Sequence, residues 1–169
     1  MDFYVLTLRI IHILGGAFWF GSAFAFTRFV APAVALAGPE GAKFIQKLVL
    51  GTRFVTVTLT AAGLAVLTGL LLYWRASGGL QTEWMSTGTG VMFTIGAISG
   101  IIALILGSII GSNSRKLATL GASLQGPPTP EQGAEIAAMQ SRLETLGAVT
   151  SILLLITLIA MATAQYVFF

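Results

Sequence analysis

The sequence LRIIHILGGAFWFG, Leu8–Gly21, decides how this chain folds, because it places a histidine inside a long apolar segment. His12 is the only histidine in the 169 residues. An ionisable side chain at membrane depth is costly, so it usually faces a protein interior, a cofactor or a cavity. At about 3.6 residues per turn, one stripe of this helix consists of Arg9, His12, Gly16 and Trp19. On this stripe we expect Gly16 to leave room beside the imidazole and Trp19 to floor that space.

The composition indicates an integral membrane protein. Hydrophobic residues make up 56% of the chain and charged residues only 9%, whereas soluble domains carry about 25% charged residues. Four segments approach or exceed the roughly 20 apolar residues that cross a bilayer. They predict an all-α fold, a single four-helix transmembrane bundle over residues 1–169 that runs up-down-up-down, with helices at about 3–29, 39–75, 88–124 and 130–169. Arg28 and Pro32 are expected to close the first helix.

Several classes of site are excluded by residue type. The chain has no cysteine, so it has neither disulfides nor thiolate metal sites. Its net charge of +3 is small and clusters at helix ends, which does not indicate a nucleic-acid partner. The sequence contains no paired carboxylates, phosphate-binding glycine loop or nucleophile–base pair, and it predicts no catalytic residue. No Asp or Glu lies within the four apolar segments themselves, at about 3–29, 51–74, 88–111 and 146–169, which argues against a proton-coupled transporter.

The third segment carries four glycines that we expect to form a packing face. Gly96, Gly100, Gly107 and Gly111 make two GxxxG pairs that are eleven residues, or almost three turns, apart. Small residues at this spacing allow helix backbones to approach closely in membranes. The sequence therefore predicts an interface here, either with another helix of the bundle or with a second copy.

The two halves of the chain resemble two weakly repeated hairpins. The second helix of each half starts at a proline–glutamate pair, Pro39-Glu40 and Pro130-Glu131, which are 91 residues apart. Proline fits the first turn of a helix, and a glutamate there suits the helix dipole. At this offset Ala103 takes the place of His12, so only the first half carries the histidine.

Charge asymmetry predicts the orientation. The connections after the first and third helices carry seven lysines and arginines, against at most two on the opposite side. The positive-inside rule then places both long connections inside and both termini outside, in the bacterial inner membrane.

The order of features resembles that of a family of uncharacterised four-helix bacterial membrane proteins. The residues that carry this resemblance are Arg9-x-x-His12-x-x-x-Gly16-x-x-Trp19-x-Gly21, Pro32, Gly69–Trp74 and Arg115-Lys116-Leu117. That group is similar in turn to copper-resistance protein D-like and HemJ-like membrane proteins. HemJ-like proteins are protoporphyrinogen oxidases that bind haem b and use a first-helix histidine. The resemblance therefore implies haem b as cofactor and His12 as its ligand, the only residue carried over.

A six-coordinate haem iron needs a second ligand, and helix lengths point to Met161. His12 and Met161 lie about ten and eight residues from the outer ends of their helices, so at about 1.5 Å per residue they have similar depths. A second copy's His12 is the other source. Arg9, one turn nearer the surface, is placed to meet a haem propionate.

Each of these residues also has a purely structural interpretation. A serine, threonine or backbone carbonyl could satisfy His12, and Met161 could be core packing. The chain then becomes a non-catalytic structural or assembly subunit of a respiratory or photosynthetic complex, or a homo-oligomer, without a cofactor. A permease is a third class, but the mid-membrane helix breaks that would indicate one are not evident. The bilayer is a partner in every case.

The predicted orientation can be tested by cysteine labelling, because the native chain has no cysteine. A cysteine at position 126 should react with a membrane-impermeant maleimide only after the cells are permeabilised. A cysteine at position 81, in the loop on the opposite side, should react in intact cells. Labelling of position 126 from outside would contradict the orientation.

Overall fold

The computed structural model describes residues 2–124 and 126–167, which are almost entirely helical and contain no strand. The first helix, α1, comprises Phe3–Ala25, a π-turn Phe26–Val30 and a last stretch Ala31–Leu36. The other helices are α2 (Gly38–Gly51), α3 (Phe54–Ala76), α4 (Gly88–Ser123) and α5 (Pro130–Thr163). α1, α3, α4 and α5 are each long and apolar enough to cross a membrane.

Contacts near the chain's N-terminus show that neighbouring helices run antiparallel. Arg75, near the end of α3, donates to Asp2 at the start of α1, with 2.7 Å between Nη2 and Oδ2. Tyr73 is hydrogen-bonded to Thr94 near the start of α4, with 2.6 Å between the hydroxyl oxygens. We call this end of the bundle the terminal end and the opposite one, where α2 lies, the connection end.

The last helix, α5, closes the bundle by packing against α4 and α1. Val167, just beyond α5, lies against Gly88 at the start of α4. Toward the connection end, the Thr27 side chain of α1 lies against Gly147 of α5. The predicted all-α bundle with up-down-up-down order is therefore confirmed.

The core is centred on the indole of Trp19, which is only 5% exposed. It forms one buried cluster with Ala62 of α3, Ala103 of α4 and Leu154 of α5. A single large side chain thus fills a layer whose other members include two alanines. Many other large apolar side chains are exposed, as expected for helices surrounded by lipid.

The first helix extends beyond its predicted end at residue 29, because a π-turn accommodates Pro32. Proline has no N–H, and its ring clashes with the carbonyl four residues earlier in a regular helix. In Phe26–Val30 the chain widens, and the Ala31 N–H bonds to the Phe26 carbonyl five residues back. Arg28 and Pro32 therefore lie inside α1, which continues to Leu36.

The predicted helix 39–75 is two helices, α2 and α3, separated at Thr52-Arg53. Thr52 has an extended backbone, and its hydroxyl accepts from the N–H of Phe54, the first residue of α3. The break allows α2 to pack across the connection end of α4, where Val49, Val55 and Ala118 form a second buried cluster.

The remaining helix bounds lie close to the predicted ones. α4 ends at Ser123, one residue before the predicted 124. Thr129 and Gln132 form the capping box that starts α5. α5 ends at Thr163 and is followed by a short 3₁₀ turn, Ala164–Tyr166, while residues 125, 168 and 169 lie outside the described residues. A single helical turn, Thr82–Met85, precedes α4. The two halves thus form similar hairpins, but only the first has a broken second helix.

The glycine face of α4 lies inside the bundle, which confirms the predicted interface, and it contacts two helices. Gly96 and Gly100 lie against α5, whereas Gly107 and Gly111 lie against α3. The tightest position toward α3 is Gly111, where a Cβ would lie 3.0 Å from Cγ1 of Val55. The absence of side chains here sets how closely α4 approaches both neighbours.

Replacing Gly100 or Gly107 with leucine should destabilise the protein, because the added side chain meets α5 or α3. Overpacking of this kind costs about 1–3 kcal/mol. The thermal unfolding midpoint in detergent measures the effect. Gly63→Leu is the matched control, because a Cβ at Gly63 meets nothing within 4 Å. Unchanged midpoints for both α4 variants would contradict the packing role of this face.

Candidate functional site

The imidazole of His12 is hydrogen-bonded to the backbone of α3. Nδ1 lies 2.7 Å from the carbonyl oxygen of Ala65. Because a carbonyl can only accept, Nδ1 carries the proton and donates it. In the neutral ring Nε2 then keeps its lone pair, and it makes no hydrogen bond with the residues that the structure describes. His12 is partly buried, so this nitrogen is a candidate ligand or acceptor.

The close approach of α1 and α3 brings that carbonyl within reach. A Cβ built on Gly15 would lie 3.0 Å from the Ala61 carbonyl oxygen and 3.5 Å from Cβ of Ala65. Ala61, Ala65 and Gly69 form a small-xxx-small-xxx-small series along α3. Such series allow helices to pack with their backbones close together in a membrane.

Gly69 forms the seat for the imidazole. A Cβ built on Gly69 would lie 2.7 Å from Cε1 of His12 and 3.0 Å from Nδ1. Sequence reasoning missed both Ala65 and Gly69, although their small-residue spacing was a signal for a close helix contact. It did foresee, as the structural interpretation, that a backbone carbonyl could satisfy the histidine.

Thr68 reinforces this contact from within α3. Its side chain is buried, and its hydroxyl lies 2.6 Å from the Leu64 carbonyl and 3.2 Å from the Ala65 carbonyl. The Ala65 oxygen thus lies close to both Thr68 and His12. The Thr68 proton goes to the nearer Leu64 oxygen, so His12 is the principal side-chain donor to the Ala65 oxygen, and this bond fixes the orientation and the tautomer of the imidazole.

The other residues of the predicted stripe have different surroundings. Trp19 is packed in the core two turns from His12, where its indole fills the layer between α3, α4 and α5. That it floors a space beside the imidazole stays a prediction. Gly16 does leave room, because a Cβ there would meet nothing within 4 Å. Arg9 is exposed, one turn from His12 toward the terminal end.

Met161 lies at the same level as His12 but packs against a different helix. Both residues are seven positions, or two turns, from members of the Trp19 layer, His12 from Trp19 itself and Met161 from Leu154. A Cβ built on Gly96 of α4 would lie 2.8 Å from Cε of Met161 and 3.4 Å from its sulfur. The His12 side chain thus lies over a glycine of α3, and the Met161 side chain lies over a glycine of α4.

Two surface clefts lie away from this level. One, of about 470 Å³, is at the terminal end and is lined by Tyr4, Leu71, Trp74, Arg75, Gly78 and Gly79. The other, of about 460 Å³, lies between the end of α1 and α2 and is largely apolar. Neither is lined by His12, Gly16 or Trp19. Within the described residues no group of three or more histidine, cysteine or carboxylate side chains could hold a metal ion.

Searches of this chain against protein-family models, curated proteins and solved structures found no match. The resemblance to the copper-resistance protein D-like and HemJ-like families therefore stays a prediction.

Replacing Gly69 with alanine should displace the imidazole and break its hydrogen bond to Ala65, because the added methyl occupies the ring's position. The ¹⁵N chemical shifts of the single histidine would report the loss of the Nδ1–H donor. Gly63→Ala is the control on the same helix, since a Cβ there is unobstructed. If the Gly69→Ala spectrum matches that of the wild type, the seat has been misassigned.

Proposed function

We propose that this chain is a haem b-binding integral membrane protein with a redox or electron-transfer role. The observation that supports it most directly is the state of His12, whose Nδ1–H is bound to a backbone carbonyl while Nε2 carries a free lone pair. Metal-ligating histidines commonly donate a hydrogen bond from the N–H of their other ring nitrogen to a carbonyl or carboxylate. This bond orients the ring and raises the basicity of the ligating nitrogen. Imidazole is also a normal axial ligand of haem iron.

The residues around His12 fit such a group in donor chemistry and in charge. Gly69 closes the flank of the imidazole that faces α3, so a macrocycle would lie toward the open space beside Gly16. Arg9 is an exposed cation one turn nearer the terminal end, where it could pair with a propionate. When bound, the haem would supply one-electron redox chemistry.

The chain's own residues would determine the properties of that site. The Ala65 carbonyl would fix the tautomer of the His12 ligand by accepting from Nδ1–H. The Thr68 hydroxyl lies beside this carbonyl oxygen. The packed Trp19 layer would exclude water from the connection side. A bundle core with these properties is a common place for a cofactor.

The proposed setting is the bacterial inner membrane with both termini outside. His12 is near the start of α1, so this orientation puts it in the outer half of the membrane. Electron transfer near the outer face, or oxidation of a porphyrin-like substrate, would be the corresponding activities.

A second candidate function is that of a structural subunit without a cofactor. It is favoured by the width of the apolar surface on α1, where Ile10, Ile13, Leu14 and Phe18 are each 45% to 65% exposed. This surface could serve a homo-oligomer or a larger membrane complex as well as lipid. In that case the hydrogen bond of His12 to Ala65 would only tie α1 to α3.

The haem proposal is tested by the absorbance spectrum of protein produced with ample haem and purified in detergent. The wild type should show a Soret band, and His12→Ala should lose it while circular dichroism still reports a folded helical bundle. Gly63→Ala, away from the imidazole, should keep the band. A colourless wild type would defeat the cofactor and leave the structural subunit as the better account.

The same spectra identify the second ligand. If it is the Met161 sulfur, Met161→Leu should shift the Soret band to that of a five-coordinate iron. If it is His12 of a second copy, that variant should keep the wild-type spectrum, and the protein should bind one haem per two chains.

A further inference from the structure

Two threonine hydroxyls are buried in the bundle without any hydrogen-bond partner among the described residues. They are the Oγ1 atoms of Thr58 on α3 and Thr150 on α5. Thr150 as a whole is only 3% exposed. Leaving a buried hydroxyl unpaired carries its full desolvation cost, so native proteins pair nearly all such groups with protein or with ordered water.

Several other helix hydroxyls avoid that cost within their own helix. The acceptor is the carbonyl four residues earlier for Thr68, Thr94, Ser108, Ser151 and Thr157. Ser151, the next residue after Thr150, bonds in this way to the Gly147 carbonyl. Thr58 and Thr150 make no such bond, so their hydroxyls depend on a group between the helices.

The two hydroxyls lie at one level of the bundle. Thr58 precedes Ala62 by one turn, and Thr150 precedes Leu154 by one turn, while Ala62 and Leu154 belong to the Trp19 layer. Because α3 and α5 run in the same direction, both threonines lie one turn from Trp19 toward the connection end. Among the described residues, no Cα of α3 comes within 8 Å of a Cα of α5, so the two helices face each other across the bundle axis.

The other two helices contribute only small residues at this level. On α1 the equivalent residue is Ala23, one turn after Trp19, and on α4 it is Gly107, one turn after Ala103. The nearest atom to a Cβ built on Gly107 is Cδ2 of Leu59, 4.0 Å away. On α1 and α4, alanine and glycine thus take the places that Trp19 and Ala103 hold in the Trp19 layer, and the Leu59 side chain lies beside Gly107.

The π-turn of α1 lies one turn further toward the connection end. Thr27, within that turn, has its hydroxyl 3.3 Å from the position of a Cβ on Gly147, one turn before Thr150. Pro32 has no N–H, so one carbonyl of this part of α1 lacks its usual backbone donor. Widened turns of this kind are frequent at functional sites.

From these observations we infer a binding site for internal water between α3 and α5, one turn from Trp19 toward the connection end. Water is the ligand that fits, because it both donates and accepts, and it is small enough for a layer of threonine, alanine and glycine. A buried water needs two to four polar partners, and the hydroxyls of Thr58 and Thr150 supply two. An ion is disfavoured, because the carboxylate on α5 that is nearest in sequence to Thr150, that of Glu144, is almost two turns away and exposed, so it is not placed to balance a charge between the helices. This site is independent of any haem at His12.

A double-mutant cycle on the thermal unfolding midpoint tests the site, using Thr58→Val, Thr150→Val and the double variant. Valine has the shape of threonine without the hydroxyl. If water links the two hydroxyls, each single variant strands the other hydroxyl and its water, and should lower the midpoint by about 2–4 °C. The double variant should lower it by less than the sum of the two. Ser151→Ala, which removes a hydroxyl bonded within its own helix, is the control and should not couple to Thr58→Val.

Two outcomes would overturn the inference. If both single variants raise the midpoint additively, the hydroxyls are buried unpaired and no water is bound. If both leave it unchanged, as a hydroxyl bonded to its own helix would, there is no shared site. X-ray hydroxyl-radical footprinting of the wild-type protein provides a measurement that needs no variant. The residues around Thr150 should be modified well above the level expected from their burial, and a rate as low as that of Ala62 and Ala103 would also refute the site.

Discussion

The packing of the Trp19 indole between α3, α4 and α5 is the interaction on which the rest of the structure depends. Its layer contains two alanines, so one large side chain sets the distance between four helices. Two turns toward the terminal end lies the level of His12 and Met161. One turn toward the connection end lies the level of Thr58 and Thr150. A packed apolar layer thus separates these two levels of the bundle.

The close contact between α1 and α3 explains how a membrane helix can carry a histidine without a charged partner. Glycine inside a helix costs about 1 kcal/mol relative to alanine. In a membrane, however, small residues let backbones approach and gain dispersion and hydrogen-bond energy. Here Gly15 brings the α3 backbone close enough for the Ala65 carbonyl to accept from His12, and Gly69 makes room for the ring. The bond needs no carboxylate, and it leaves one ring nitrogen free to bind another group.

The differences between the predicted and observed helix ends at Pro32 and Thr52 both accompany packing against other helices. Pro32 is a helix breaker in water, where nothing else constrains the chain. In the bundle the widened turn before it allows α1 to continue, and Thr27 is packed against α5 there. At Thr52, conversely, a sequence predicted to form one helix is interrupted, and the break lets α2 pack across α4 while the Thr52 hydroxyl accepts from the Phe54 N–H. Local propensity is weak compared with either effect.

The sequence by itself determined that the chain is a membrane protein, how many spans it has and that they form a helical bundle. The cost of burying backbone and charge in lipid leaves no other arrangement for such a composition. It also singled out His12 as the one ionisable group at depth and the glycines of α4 as an interface. Only the tertiary structure decided what each of these groups contacts. The seat of His12 on Ala65 and Gly69, the burial of Trp19 and the pairing of Met161 with Gly96 depend on the register between helices. That register is set by side-chain packing across interfaces whose partners are far apart in sequence, and periodicity within one helix cannot reveal it.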